Sequence, residues 1–173
     1  YSKRDMDASY DEASATRITL SGSSASVDGS GATVDGSTVT ISSEGSYIIS
    51  GELSSGQIVV DASDDAKIQL VLAGATIHNE NGPAIYAKNA DKCFVTLANG
   101  MQNSLSDGTD YMLEDDSDEP YATLFCRCGL TINGAGALNV TANYRHGICS
   151  KDDLVVTGGT LNVTAVEDCL RGR

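Results

Sequence analysis

One five-residue segment of this chain occurs twice. The sequence LNVTA stands at residues 138–142 and again at 161–165, 23 residues later. The segment LTI at 130–132 is matched in the same way by LVV at 154–156, and a Gly-containing turn follows each of them. A period of this length is typical of proteins that stack one supersecondary unit on the next. The repeat therefore predicts a stacked architecture.

A third class of short apolar segment precedes these two. Each of its members has an aliphatic residue at the same position, and these residues follow one another at intervals of 27, 39, 24 and 22 residues: Ile58, Ile85, Leu124, Ile148 and Leu170. Three strands in each repeat suit a three-sided coil, and equivalent side chains of successive coils then form ladders with a spacing of about 4.8 Å. We therefore predict an all-β fold, a right-handed, single-stranded parallel β-helix with 22–27 residues per coil and these aliphatic residues in an inward ladder.

The repeat also sets the predicted domain boundaries. Residues 1–15 are charged and lack apolar periodicity, so we expect a linker or lead-in to a β-helix domain at 16–173. The long step from Ile85 to Leu124 predicts an acidic loop, 106–120, that is ejected from the coil. The chain stops one strand into a coil without a visible capping element. We therefore expect a longer parent protein, whose remaining C-terminal coils are candidate partners of this chain.

The charge of the chain restricts its partners. Its 173 residues contain 11 Lys and Arg against 24 Asp and Glu, which gives a net charge of -13. Such a surface disfavours nucleic acid and anionic membranes as partners and favours the capture of cations. No apolar run approaches the roughly 20 residues that a membrane-spanning helix needs, so no membrane insertion is expected.

The cysteines are odd in number and cannot all pair within the chain. They are Cys93, Cys126, Cys128, Cys149 and Cys169. Their spacing fits neither a CxxC zinc ribbon nor a small disulfide scaffold. Free cysteine is among the most often buried residue types, which favours small thiols packed in a core. A metal-binding or redox pair formed by Cys126 and Cys128 is the alternative.

Several segments, taken in their order and spacing, are similar to those of a known protein family. They are GSYIISG at 45–51, GQIVVD at 56–61, IQLVLAGA at 68–75, GLTINGAG at 129–136 and HGICSKDDL at 146–154. Together they resemble a bacterial family of carbohydrate-binding domain-containing proteins, known from secreted and surface proteins of anaerobes that degrade plant polysaccharides. The resemblance extends over residues 16–173.

The resemblance implies a parallel β-helix related to pectate-lyase-like folds. It also implies bound Ca2+ as a cofactor and affinity for plant cell-wall polysaccharides. A binding rather than a catalytic role follows from it, as does an extracellular or cell-surface location.

Four basic residues come three positions after the aliphatic ladder residues: Lys88, Arg127, Lys151 and Arg173. Cations stacked about 5 Å apart repel one another and require neutralisation. One interpretation is that carboxylates of a uronate-containing glycan lie along them, with the arginines suited to bidentate contacts. The other is screening by four nearby aspartates: Asp91, Asp152, Asp153 and Asp168.

The acidic loop is the first candidate site for Ca2+, which binds several oxygen ligands. Its acidic cluster also contains Glu114 and Glu119, and its candidate ligands are Asp107, Asp110, Asp115, Asp116 and Asp118. The spacing is not that of an EF-hand, and a solvated, disordered insertion is the alternative. Two further acidic pairs, on turns of adjacent coils, are candidates to share one ion: Asp152 with Asp153, and Glu167 with Asp168.

Tyr86 and Phe125 are predicted to occupy equivalent outward positions on neighbouring coils, with Cys149 next. Flat aromatic faces commonly pack against sugar rings, so this pair is a candidate glycan platform. Stabilisation of the ladder is the alternative. Asn139 and Asn162 are predicted to form a stacked amide ladder with a structural role.

The residues favour binding over catalysis, and no catalytic residue is predicted. His78 and His146 are the only histidines and lie in unrelated coil positions, which argues against a Ser/His/Asp triad. A polysaccharide lyase needs an acidic Ca2+ cluster and a base beside the uronate. Arg127 or Lys151 beside Asp152 and Asp153 has the right residue types, but these types are common on any charged surface and no base stands in a distinctive setting.

We therefore predict a non-catalytic, secreted or cell-surface module. Its predicted ligands are plant cell-wall polysaccharides, uronate-containing or cellulosic, bound with the assistance of Ca2+. A polysaccharide lyase is one alternative. An adhesin or structural solenoid without a specific glycan is the other.

Overall fold

A computed structural model describes all 173 residues of the chain. No helix in it has the length and apolar character needed to cross a bilayer. The elements in chain order are α1 (Lys3–Met6), β1 (Thr16–Gly22), β2 (Ala25–Asp28), β3 (Ala32–Asp35), β4 (Thr38–Ile41), β5 (Gly45–Leu53), β6 (Gln57–Asp61), β7 (Lys67–Asn79), β8 (Ile85–Asn89), β9 (Lys92–Leu97), β10 (Gln102–Asp107), β11 (Ala122–Cys126), β12 (Gly129–Gly134), β13 (Ala137–Ala142), β14 (His146–Ser150), β15 (Leu154–Val156), β16 (Thr160–Ala165) and β17 (Leu170–Arg171).

The strands form two sheets. In the first sheet the order is β15-β12-β9-β7-β10-β13-β16, and β5, β1 and β2 extend this sheet from β7. The long strand β7 pairs with β9 through its first half and with β10 through its second half. In the second sheet the order is β17-β14-β11-β8-β6-β4-β3.

Both sheets are mixed, so the predicted right-handed, single-stranded parallel β-helix is wrong. The pairs β1–β2 and β3–β4 are antiparallel, whereas the other pairs are parallel. The strands lie in two sheets rather than on three walls, and they do not close into a solenoid. The physical reason is the length of the connections. Only two residues join each antiparallel pair, whereas a parallel crossover needs about a dozen or more.

The stacking of equivalent residues is nevertheless confirmed. Ile58 pairs with Ile85, and the row continues through Leu124 and Ile148 to Leu170. All but the last of these side chains are fully buried, and Leu170 is exposed. The repeat therefore identified which residues stand beside one another, although it did not identify the overall arrangement of the strands.

The predicted amide ladder is also confirmed. The two LNVTA segments lie side by side on β13 and β16 in the expected register. The Nδ2 of Asn162 donates a hydrogen bond to the Oδ1 of Asn139 at 3.1 Å. Both side chains thus satisfy part of their hydrogen-bonding capacity with each other.

The inward faces of the two sheets share one hydrophobic core. Among its largest fully buried side chains are Ile49 and Leu70 from the first sheet and Ile41 and Ile58 from the second. Full burial of such a side chain contributes about 1.5–3 kcal/mol, so this shared core is a main source of stability.

Four of the five cysteines are buried, as predicted, but Cys169 is exposed. Cys93, Cys126 and Cys128 belong to the shared core, where the Sγ of Cys128 lies 3.7 Å from the Sγ of Cys93. Burial raises the pKa of the Cys149 thiol, which packs against aromatic residues outside that core. These buried residues therefore act as small packing groups.

The first fifteen residues begin with a helix and lie against the first sheet. Asp5 is only 1% exposed. Its carboxylate accepts a hydrogen bond from the Thr131 hydroxyl at 2.6 Å and lies 2.7 Å from the Nζ of Lys92. Its carbonyl accepts a hydrogen bond from the Asn133 side chain at 3.3 Å. Asp5 thereby anchors this segment, while the predicted domain boundaries themselves stay predictions.

Asp5 links stability to pH. Burial opposes its ionisation, but hydrogen bonds from Lys92, Thr131 and Ser2 outweigh burial and hold the pKa of the carboxyl well below its usual value. A carboxyl with a lowered pKa stabilises the folded state at a pH above its unfolded pKa, about 3.9. This contribution is lost as the pH falls from there through the folded-state pKa.

We expect Asp5→Asn to lower the free energy of unfolding by about 2 kcal/mol at pH 7, because it removes hydrogen bonds to a charged group. The difference from the wild type should shrink as the pH falls below about 4. Urea unfolding followed by circular dichroism at pH 7 and pH 3 measures both effects. Asp28→Asn, at an exposed residue without an ion pair, is the control. A pH-independent difference would contradict this account.

A glycine marks an irregularity in the first sheet. Gly51 lies where the register between β5 and β7 shifts, and its φ is 93°. A Cβ at this residue would stand 2.2 Å from the carbonyl oxygen of Leu20. Gly22 also has a positive φ, 82°, but the space around its Cβ position is open.

We expect Gly51→Ala to lower the free energy of unfolding well beyond the effect of Gly22→Ala. Both changes carry the cost of about 1–2 kcal/mol for a positive φ. Only the change at Gly51 adds a clash with the backbone, worth about 1–3 kcal/mol more. Thermal and urea unfolding of both variants test this, and equal losses would show that the close approach to Leu20 is unimportant.

Candidate functional site

Three of the four predicted basic residues lie side by side in or directly after strands of the second sheet, and we name them the basic row: Lys88, Arg127 and Lys151. The N–H of Arg127 donates to the carbonyl of Ala87 at 3.0 Å, and the N–H of Lys151 donates to the carbonyl of Cys126 at 2.9 Å. These are the hydrogen bonds of neighbouring parallel strands. The backbones of these three residues are therefore adjacent in the predicted register, while their role in binding a glycan stays a prediction.

Arg173 does not continue the basic row in the same register, because its N–H donates to the carbonyl of Asp152 at 3.1 Å. Arg173 instead lines a cavity of about 240 Å³ together with Lys151, Tyr121 and Arg171. Arg171 belongs to a strand of only two residues, and its position relative to the aliphatic ladder gave no sign that it would join these cations.

The segment between β10 and β11, residues 108–121, contains no helix or strand, and we name it the β10–β11 loop. Two of its glutamates contact the basic row. Glu114 accepts hydrogen bonds from the guanidinium of Arg127 and from the hydroxyl of Tyr86, the latter at 2.7 Å. Glu119 accepts one from the Nζ of Lys151 at 2.8 Å and lies 3.8 Å from the Nε of Arg127. This loop therefore neutralises two of the three cations.

Neither interpretation of the basic residues included this pairing. The four aspartates proposed to screen them do not ion-pair with the basic row. Asp91 pairs with Lys67 at 2.8 Å and Asp168 pairs with Arg171 at 3.4 Å. The basic residues and the acidic loop, which were separate candidate sites in the sequence, thus form one charged cluster.

The contacts fix the protonation states of this cluster. Hydrogen bonds from Tyr86 and Arg127 lower the pKa of Glu114. The hydrogen bond to Glu119 raises the pKa of Lys151. Burial, reinforced by Glu114, raises the pKa of Tyr86. Around neutral pH the glutamate is therefore anionic, the lysine is cationic and the tyrosine hydroxyl remains a hydrogen-bond donor.

Tyr86 and Phe125 pair in register as predicted, and Cys149 follows them. The two rings meet edge to face, with centroids 5.7 Å apart. Tyr86 is 3% exposed and Phe125 is 0% exposed, so neither ring offers an open face. The packing seen here is that of ladder stabilisation, and a role for these rings in stacking on sugars stays a prediction.

Asp107 is the one buried residue among the predicted Ca2+ ligands. Its carboxylate accepts hydrogen bonds from the hydroxyls of Tyr111 and Thr123 and from the backbone N–H of Asn143. Burial, followed by the bond to Asp107, raises the pKa of Tyr111. Asp107 thereby anchors the start of the β10–β11 loop to the neighbouring strands.

The other predicted Ca2+ ligands are exposed: Asp110, Asp115, Asp116, Asp118, Asp152, Asp153, Glu167 and Asp168. Several face cations instead of one another. Arg145 lies 3.9 Å from Asp118 and 3.0 Å from Glu167. No group of three or more His, Cys, Asp or Glu side chains is arranged to hold a metal ion. The predicted ligands do not fit a Ca2+ site as they stand, and Ca2+ assistance stays a prediction.

A polar cleft of about 360 Å³ opens beside the basic row. Its walls come from β6, β8, the turn around residues 79–83 and the β10–β11 loop. Gln57 and Asn79 lie in it, and the side-chain amide of each donates to the carbonyl of Pro83, at 2.9 and 2.8 Å. The amide oxygen of Gln57 is left as an acceptor for a ligand, whereas that of Asn79 already accepts a hydrogen bond from the backbone N–H of Asn81 at 3.2 Å.

Lys88 is the member of the basic row that lines this cleft. It is exposed, and its Nζ lies 5.4 Å from the ring centroid of Tyr86. Lys88 forms no ion pair, whereas Arg127 and Lys151 both do. The cleft therefore combines neutral hydrogen-bonding groups, the carboxylate of Glu114 and one cation that forms no ion pair.

The sequence indicated only part of this cleft. Tyr86 and Lys88 were recognisable from their places in the repeat, whereas Gln57, Asn79 and Asn81 were not. These three come from a strand and a turn that meet only in the folded chain. Polar residues near Gly and Pro are common in any turn, so their types alone do not mark a binding site.

Comparisons with known proteins identify a family for this chain. Residues 35–173 match a family model described as carbohydrate-binding domain-containing protein. A protein of that description from Acetivibrio thermocellus is 40% identical over 126 residues, which are 72% of this chain and 44% of that protein. The gadolinium derivative of the polysaccharide lyase-like protein from C. thermocellum superposes with a TM-score of 0.82 and 36% identity. The match covers 85% of this chain and 60% of that one, so this chain spans only part of each relative.

We expect Asp107→Asn to lower the free energy of unfolding by about 2 kcal/mol, because its buried carboxylate accepts three hydrogen bonds. Hydrogen exchange in residues 108–121 should rise with it, since the loop loses its anchor. Asp110→Asn, at an exposed neighbour, is the control. Loss of Ca2+ binding in isothermal titration without any loss of stability would instead assign Asp107 to a metal site.

Proposed function

Since the chain belongs to the family of carbohydrate-binding domain-containing proteins, we propose that it is a non-catalytic module that holds a polysaccharide in the cleft beside Lys88. The observation that carries the proposal is the lining of this cleft. Amide side chains, hydroxyl groups, the ammonium group of Lys88 and the carboxylate of Glu114 line it. Each of these can hydrogen-bond to sugar hydroxyl groups.

The size and openness of the cleft suit a segment of a chain-like ligand. A volume of about 360 Å³ falls in the range of ligand pockets, roughly 300–1,000 Å³. Gln57 and Asn79 are held in place by Pro83, so their amide groups are preorganised. Preorganised groups lose less conformational entropy when a ligand binds, which favours affinity for a flexible glycan.

The proposed ligands are plant cell-wall polysaccharides, either uronate-containing or cellulosic. Lys88 supports the first class, because an unpaired ammonium group can neutralise a uronate carboxylate. The neutral amide and hydroxyl groups support the second. Secretion or display at the cell surface, and assistance by Ca2+, are parts of this proposal that depend on the resemblance to the family.

A polysaccharide lyase is the second candidate, because the structural relative is named polysaccharide lyase-like. His78 is bound by Ser106 at 2.7 Å and Glu80 at 2.8 Å. His146 is 1% exposed and lies among Glu167, Asp168 and Arg171. Neither histidine lines the cleft, and Arg127 and Lys151 are held in ion pairs with glutamates, which favours binding. Ultraviolet absorbance of unsaturated uronides, released from pectin or alginate, would establish the lyase.

We expect the chain to bind insoluble plant cell-wall material in a pull-down assay and soluble polysaccharides in affinity gel electrophoresis. Lys88→Ala and Gln57→Ala should each weaken binding about tenfold, because each removes a hydrogen-bonding group from the cleft. Lys67→Ala is the matched control, since it removes one lysine outside the cleft.

Two outcomes would contradict the proposed site. Equal losses in Lys67→Ala and Lys88→Ala would show that only the overall charge matters. Retention of full affinity in both cleft variants would place the binding surface elsewhere. The absence of binding to every polysaccharide tested would instead favour an adhesin or a structural role.

A further inference from the structure

The β10–β11 loop supplies carboxylates at the positions where an acidic glycan would supply its own. Glu114 binds Arg127, and Glu119 binds Lys151 while also facing Arg127. Neither basic residue is deeply buried, since Arg127 is 34% and Lys151 is 41% exposed at the side chain. Both cations would therefore be accessible to a ligand if the two glutamates were absent.

From this geometry, we infer that Glu114 and Glu119 determine the charge selectivity of the glycan site. By neutralising Arg127 and Lys151, they make the site disfavour densely charged polyuronates. Lys88 remains free for a glycan that is neutral or carries sparse carboxylates. This inference rests on the proposed function, because it assigns a ligand class to the same surface.

The two glutamates compete strongly because they belong to the same chain as the cations. The loop is held at one end by Asp107 and at the other by β11, so it cannot diffuse away. Short tethers of this kind give effective concentrations on the order of millimolar. A polyuronate carboxylate that binds Arg127 or Lys151 must first displace Glu114 or Glu119, so the number of ion pairs does not increase.

Glu114 has a second contact that favours the neutralised arrangement. The hydroxyl of Tyr86 donates to it at 2.7 Å, and Tyr86 also lines the cleft. Displacing Glu114 would leave this mostly buried hydroxyl without its acceptor, at a cost in free energy. The loop therefore keeps polyanions away from Arg127 and Lys151 and contributes Glu114 to the wall of the cleft beside Lys88.

The test compares two double variants. Glu114→Gln with Glu119→Gln removes the two carboxylates that contact the basic row. Asp115→Asn with Asp116→Asn changes the net charge by the same amount in the same loop, but at exposed residues without ion pairs. The probes are polygalacturonate as the polyanion and soluble xyloglucan as the neutral polysaccharide, in affinity gel electrophoresis at several salt concentrations.

We expect the glutamate variant to bind polygalacturonate at least about tenfold more tightly than the wild type, with a steeper loss of affinity as salt rises. Its affinity for xyloglucan should not rise with it, because a neutral glycan has no carboxylate to pair with Arg127 and Lys151. The aspartate variant should resemble the wild type with both probes. Hydrogen exchange in residues 108–121 should rise only in the glutamate variant, because the loop loses its ion pairs.

Three results would overturn the inference. The first is an unchanged affinity for polygalacturonate in the glutamate variant, and the second is an equal increase in that affinity in the aspartate variant. The third is a wild type that already binds polygalacturonate more tightly than xyloglucan, with an affinity that depends strongly on salt. The proposed function fails separately, when the wild type binds no polysaccharide at all. In that case, binding of polygalacturonate by the glutamate variant alone would still show that Glu114 and Glu119 exclude the polyanion.

Discussion

In-register pairing of parallel strands is the constraint on which the rest of this structure depends. From β4 to β17, each strand of the second sheet places its residues beside equivalent residues of the next, about 4.8 Å away. On the inner face this rule stacks aliphatic side chains and builds the core. On the outer face the same rule brings Lys88, Arg127 and Lys151 together, and their repulsion has to be compensated. The loop that supplies Glu114 and Glu119 provides the compensation.

The parts of the fold that could be predicted are those in which a residue meets its own counterpart. A repeated sequence lists such pairs directly, which is why the row from Ile58 to Leu170 and the contact between Asn139 and Asn162 were predicted correctly. The arrangement of the sheets was not predicted correctly. Two-residue links after β1 and β3 reverse the chain, and alternating apolar residues suit antiparallel and parallel pairing equally well.

The candidate site could be predicted in its cations but not in its anions. The basic residues lie in the repeat, so their neighbours followed from the spacing. Glu114 and Glu119 lie in a segment without periodicity, and nothing in their order along the chain indicates which way each carboxylate faces. Asp5 is a similar case, since it reaches Thr131 across 126 residues and stood in a segment that looked like a solvated linker.

The burial of Asp5 has a consequence for the order in which the chain folds during synthesis. Residue 5 leaves the ribosome long before its partners on β12 exist, so its carboxylate remains hydrated while the first sheet is assembled behind it. Contacts between residues far apart in sequence form slowly, because a long loop has to close first. Attachment of the first residues is therefore a late event, and until it happens the outer side of β9 and β12 is left uncovered.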